Sequence, residues 1–192
     1  MKRAYKYRLY PNKTQQVLLR QTFGCCRYVY NATLDAKIKA YETDKTSLSE
    51  FDCINLMTGL KSEYAWLYDV PAVCLVQSVR DMYSAYRMFF KTKQGFPNRK
   101  TKHRSKLSCR FPSTHCGVDQ ESSHIKLSKI GLVRYKQDRR FKGQLRNVTV
   151  SCDGCGRFWV SCLVETGVPE PKSEPITSQS KCVGVDFGLE GF

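Results

Sequence analysis

The sequence predicts an α+β fold on three observations. Apolar residues recur at helical spacing through residues 13–40 and 75–89, the stretch from His124 to Glu165 switches to a period of two, and a basic segment without acidic residues separates the two regimes. With 192 residues, 41% of them hydrophobic, the chain buries a core of one or two globular domains. Lys and Arg number 32 against 17 Asp and Glu, a formal charge of +15, and an excess of that size points to a polyanionic partner. A membrane partner is not expected, because the chain has no long apolar run and no lipidation signal. The basic N-terminus lacks the apolar stretch of a secretory signal, which favours a cytoplasmic location. Ten cysteines sit at irregular intervals, several inside apolar patterns such as VCLV, and read as buried reduced thiols.

The first element is an aromatic-rich alternating strand, RAYKYRLYP, which ends at Pro11. Asn12 then acts as N-cap with Gln15 three residues on, a capping box that starts a helix. Leu19, Phe23, Cys26 and Tyr30 form its apolar face to about residue 40, and Gly24 inside it reads as close packing or a bend. Short helical patterns fill residues 42–70, up to Pro71. From there Leu75, Val79, Met82, Tyr86 and Phe89 mark the best amphipathic helix, with Arg80 and Arg87 on other faces, read either as a solvated surface or as contacts to a phosphate.

No acidic residue lies between Lys91 and Val118, while Lys91, Lys93, Arg99, Lys100, Lys102, Arg104, Lys106 and Arg110 crowd the segment. Like charges at that density repel unless an anion neutralises them, so the segment reads as a phosphate-backbone clamp, with Phe96 and Phe111 flanking it as stacking platforms, the alternative being a solvated basic loop or a localisation-like run. HIKLSKIGLVRYK then gives two strands around residues 128–131. NVTVSCDGCGRFWVSCLVE gives a hairpin that turns at Asp153 and Gly154. Phe158, Val160, Cys162 and Val164 share one face of it and Trp159, Ser161 and Leu163 the other, and the N-terminal strand completes the same sheet. Pro169, Pro171 and Pro175 among small polar residues mark a linker, after which a new domain begins near Lys181.

Chemistry-bearing residues are few. Cys152 and Cys155 form a single C-x-x-C on a hairpin turn, without the second pair that a tetrahedral zinc site takes, so no zinc is expected there. His103, His115 and His124 show no catalytic or ligand spacing and read as surface or strand histidines. Asp186 in VGVDFGL closes an apolar strand, where a carboxylate costs desolvation energy unless a cation or hydrogen-bond donors meet it. A structural turn, the phosphate loop of an actin-like ATPase and the metal-binding carboxylate of an RNase H-like nuclease all fit those letters.

The order of segments is more specific. YKYRLYPNKTQQVLLRQTFGCCRYVYN, SVRDMYSAYRMFFK, GFPNRK, IKLSKIGLVRY, LRNVTVSCDGCGRFWVSCLVE and VGVDFGL resemble, in sequence and order, the TnpB (OrfB) proteins of insertion sequences, over nearly the whole chain. The resemblance implies an RNA-guided DNA endonuclease related to type V CRISPR effectors, with guide RNA from the transposon end and target double-stranded DNA as partners. It implies a first wedge strand at 1–11, an inserted helical recognition lobe (formerly called helix-turn-helix) at 12–93, the basic loop and the rest of the wedge β-barrel at 94–165, a linker at 166–180 and the start of a RuvC domain at 181–192. Asp186 matches the first RuvC carboxylate, a Mg²⁺ ligand for two-metal phosphodiester hydrolysis.

The family's later carboxylates and zinc ribbon would lie beyond Phe192. The resemblance therefore implies a chain that binds guide RNA and target DNA, lacks a functional metal site by itself and does not cleave alone. The alternative is a naturally truncated, nuclease-dead nucleic-acid-binding regulator, or a non-functional relic. The family is commonly polar where this chain has Ala72 and Val76, which leaves Gln77 as the polar candidate. The expected nucleic-acid-binding residues are Gln77, Arg80, Arg87, Arg99, Lys100, Lys102, Arg104 and Lys106.

Overall fold

The structure, a computed structural model, describes residues 1–92 and 95–169. The elements run β1 (Lys2–Tyr10), α1 (Lys13–Asp44), α2 (Glu50–Glu63), α3 (Ala72–Thr92), β2 (Leu107–Pro112), β3 (Cys116–Asp119), β4 (His124–Leu127), β5 (Gly131–Lys136), β6 (Gln144–Cys152) and β7 (Phe158–Glu165). A 3₁₀ turn over Ala65–Tyr68 precedes α3 and another, Ser113–His115, joins β2 to β3. The expected Lys93 end of the helical segment, the linker from residue 170 and Asp186 with the strand around it lie outside the described residues.

The capping box forms as the sequence dictates: Asn12 Oδ1 accepts the Gln15 N–H at 2.9 Å and Gln15 Oε1 accepts the Asn12 N–H at 3.0 Å. From that start α1 runs about 48 Å at 1.5 Å per residue, until Lys45 closes it in the left-handed conformation. Its buried stripe continues past Tyr30 through Thr33, Leu34 and Lys37. Lys37 is a cation on the apolar face. Its ammonium lies 4.5 Å from the Tyr86 ring centroid and donates to the Leu48 carbonyl, which ties α1 to the segment before α2. Close packing does not explain Gly24, since a Cβ built there meets nothing within 4 Å. The helices lock by polar contacts between their buried faces: Ser78 donates to the Cys26 carbonyl at 2.5 Å, and the Cys26 thiol to the Cys74 carbonyl at 3.4 Å.

All the strands join one antiparallel sheet in the order β2-β6-β7-β1-β5-β4-β3. β1 therefore sits in the middle, paired with β7 from Lys2 to Leu9 and with β5 from Arg8 to Tyr10. β2 and β3 are the two edges, yet only Ser113–His115 separates them in the chain. Flat, the edges would lie about 29 Å apart at the usual strand spacing. The link from Pro112 to Cys116 reaches about 15 Å at full stretch, so the sheet curls into a half-barrel.

Its concave side is filled by Tyr7, Leu9, Phe111, Val133, Tyr135, Val148, Val150 and the alternate residues Phe158, Val160, Cys162 and Val164 of β7, all buried. This is the alternation read from the sequence. Gly143 is obligatory at the start of β6: its φ is +127°, and a Cβ there would lie 2.3 Å from the Glu165 carbonyl oxygen. Helices α1 and α3 close the barrel near β2, with the Phe23 and Phe158 rings stacked 6.5 Å apart.

Candidate nucleic-acid interface

On the convex side of the sheet, register decides which side chains meet. Arg8 faces Trp159 across β1 and β7 and Lys136 across β1 and β5, and Lys6 faces Ser161. Residues directly opposite in an antiparallel pair share a face, so cations and one indole gather at the centre of the sheet. The Lys6 ammonium lies 4.7 Å and the Arg8 guanidinium 5.3 Å from the Trp159 ring centroid.

The indole is itself held. Asp153, at the β6–β7 turn, accepts from Trp159 Nε1 at 3.0 Å and from Arg157 Nε at 2.9 Å, while its other oxygen takes the backbone N–H groups of Cys155 and Arg157. The indole donor, together with Arg157, holds the Asp153 carboxyl well below the usual carboxylate range. Asp153 is thus a positioning residue for Trp159, beyond its expected part in the turn.

Two confluent grooves surround the indole, one of about 750 Å³ toward Lys102, Arg104 and Lys106 and one of about 500 Å³ toward Arg8, Tyr10 and Lys136. Lys6, Arg157 and Trp159 line both. Seven Lys and Arg side chains line the pair of grooves against two carboxylates, Asp138 and Asp153. Such a concentration of one sign at a concave surface attracts a polyanion and leaves its backbone in contact with the cations.

The sequence-predicted residues divide into distinct groups. Lys102, Arg104 and Lys106 are exposed on the groove wall. Arg99 is turned to α1, where it pairs with Asp35 at 2.5 Å. Lys100 is half-buried against α1: its ammonium lies 3.9 Å from the Tyr30 ring centroid, and Asn31 bonds both its backbone N–H, at 2.8 Å, and its carbonyl, at 2.9 Å. Burial pushes the Lys100 pKa down. The basic segment is therefore clamped to α1 at residues 99–100, and its free cations follow after that anchor. Arg80 is exposed and paired with Glu50 at 3.2 Å, and Arg87 is exposed on α3 away from the groove lining.

Two expectations are corrected. Gln77 is only 8% exposed, because it falls on the buried side of α3 beside Ser78, so most of its side chain is withdrawn from a ligand. Phe111 is 0% exposed, since the period of β2 points it into the barrel, and it cannot stack on a base. Phe96, the other proposed platform, is 41% exposed and packs edge-on against Tyr86 and Phe89.

Cys152 is buried while Cys155 is exposed, so the two thiols of the C-x-x-C sit in different environments. Among the described residues no group of three or more His, Cys, Asp or Glu is placed to hold a metal, and no helix is long and apolar enough to cross a membrane. His103 lies on the groove wall, His115 is exposed and His124 is in β4.

The chain resembles known proteins along most of its length. Residues 1–46, which span β1 and α1, match the family model HTH_OrfB_IS605, described as a helix-turn-helix domain. The chain is 33% identical over 188 residues to a protein of Escherichia coli (strain K12) named "Putative RNA-guided DNA endonuclease InsQ", covering 97% of this chain and 45% of that one. It is 30% identical over 194 residues to a Streptomyces pristinaespiralis protein named "Putative RNA-guided DNA endonuclease", covering 98% and 46%. A cryo-EM structure of the Cas12f1-sgRNA-target DNA complex matches with a TM-score of 0.45 at 13% identity, over 89% of this chain and 49% of that one. The chain thus spans about half the length of the relatives it matches.

Proposed function

The chain belongs to the TnpB (OrfB) family, and from that premise we propose that it is the part of an RNA-guided DNA endonuclease that holds guide RNA and target DNA. The half-barrel is the wedge, the helices between β1 and β2 are the recognition lobe, and Asp186 is a RuvC carboxylate. The observation that carries the reading is the groove around Trp159, where Lys6, Arg8, Lys102, Arg104, Lys106 and Lys136 converge on a fixed indole. A groove of fixed cations and one aromatic suits a nucleic acid tracked by its backbone, with sequence read by base pairing between guide and target.

In the family Mg²⁺ supplies the Lewis acidity for phosphodiester hydrolysis, and Asp186 is the residue of this chain assigned to hold it. The described residues do the binding. Asp153 orients the indole, the indole holds Lys6 and Arg8 in place, and the clamp on Lys100 presents Lys102, Arg104 and Lys106 along one wall.

Fluorescence anisotropy with a labelled transposon-end RNA and a generic RNA of equal length tests the reading. Tighter binding of the transposon-end RNA, weakened by Trp159→Ala, is the expected result. Equal affinity for the two RNAs defeats the assignment to guide binding.

A further inference from the structure

Behind the groove wall, between α1, α3 and β2, lies a second cavity of about 130 Å³. Four cations line it, Arg27, Lys100, Lys106 and Arg110, against one carboxylate, Asp81. Arg110 pairs with Asp81 through its terminal nitrogen, but its Nε is buried and has no hydrogen-bond partner. Ser108 and Thr149 add hydroxyls to the wall.

Taking charge out of water without a partner costs several kcal/mol or a shifted protonation equilibrium. Burial raises the Asp81 pKa and lowers that of Lys100, so both charged states are under strain. Water fits a polar cavity, but four cations against one carboxylate make an anion the better occupant. The space is comparable with the roughly 150 Å³ that holds a benzene molecule, and so admits a small tetrahedral anion.

We infer that this cavity is an oxyanion site for a phosphate group, gripped by Arg27, Lys100, Arg110 and the neighbouring hydroxyls, with Lys106 at its junction with the groove. Ser105, Lys106 and Leu107 line both the cavity and the larger groove. The phosphate is therefore either free in solution or carried by a nucleic-acid strand. The inference stands on the cavity's own lining, independently of the guide-binding reading.

Thermal unfolding of the full chain in inorganic phosphate and in chloride, at matched ionic strength, tests it. A saturable rise in melting temperature specific to phosphate is expected. Arg27 makes no ion pair among the described residues, so Arg27→Gln keeps the fold and weakens the phosphate response about tenfold, the loss expected for one charge-assisted hydrogen bond. Lys142→Gln, exposed and lining neither the cavity nor the groove, leaves the response intact. Lys100→Gln is the second variant. Equal melting in the two salts, or a full phosphate response in both Arg27→Gln and Lys100→Gln, overturns the inference.

Repeating the titration with RNA present separates the sources. Loss of the phosphate response in RNA identifies a strand phosphate as the occupant, and its persistence identifies a free anion; both support the site. RNA binding without any phosphate-specific response defeats the site and leaves the groove standing. A phosphate response without RNA binding does the reverse.

Discussion

Replacing Lys102 and Arg104 together by alanine removes two of the six groove cations that make no ion pair among the described residues; Arg157 is excluded because Asp153 holds it. For a single strand each neutralised phosphate contributes about 0.7 to the slope of log affinity against log salt, so six contacts give a slope of about −4.2. Between about 50 and 200 mM salt that slope costs about 300-fold in affinity, whereas the double variant, with a slope of about −2.8, loses only about 50-fold. The contrasting variant is Arg99→Ala, which belongs to the same basic run but is turned to Asp35 and should leave the slope unchanged. Anisotropy titrations of a labelled single-stranded RNA across that salt range measure all three proteins. A double variant with the wild-type slope, or an Arg99→Ala slope that falls by as much as one groove cation contributes, would refute the assignment of contacts to the groove.

Further outcomes follow from the same geometry. Because the Asp153 carboxyl is held below the ordinary range, its grip on Trp159 persists above the usual Asp value of about 4 and is lost only as pH falls through the lower folded value. Trp159 emission, read in a Trp66→Phe background, should stay constant from neutral pH down past that usual value, and a midpoint at the ordinary value counts against the contact. Phe111→Ala should cost about 3–5 kcal/mol of stability in denaturant unfolding as a core truncation, rather than acting on RNA affinity alone. In a Cys182→Ser background, Ellman's reagent should find one fast thiol, Cys155, since burial pushes Cys25 and Cys116 up to about 11 and Cys162 up to about 12. Fast modification that survives Cys155→Ser would contradict this burial pattern.

The parts of the fold that rest on local periodicity were legible in the sequence. The capping box at Asn12, the stripe Leu75, Val79 and Met82, and the alternation of β7 each follow from neighbours within a few residues. The site was legible only as a charge run. Nothing near Arg99 or Lys100 in sequence announces Asp35, Asn31 or Tyr30, which lie more than sixty positions away and decide that these two cations are held against α1. Trp159 looked like any outward residue of a hairpin, because its companions Lys6 and Arg8 come from the opposite end of the chain. Asp153 carried a hint: an Asp at a hairpin turn six residues before a Trp has an acceptor to spare for an indole. Gln77 shows the converse, a polar residue whose position on the helix overrides its chemistry.

The strand at the middle of the sheet is also made before the six others of that sheet. At about 5–20 residues per second, Lys2–Tyr10 waits about 6–25 s for β5, the earlier-made of its two partner strands, while a helix such as α1 forms within about a microsecond. During that interval an aromatic-rich strand has both hydrogen-bonding edges open, the condition under which strands pair with the wrong partner. Lys2, Arg3, Lys6 and Arg8 interrupt its aromatic residues and act as gatekeepers against that fate. Lys6 and Arg8 thus serve twice, keeping the nascent strand soluble on its own before they take their places beside the indole.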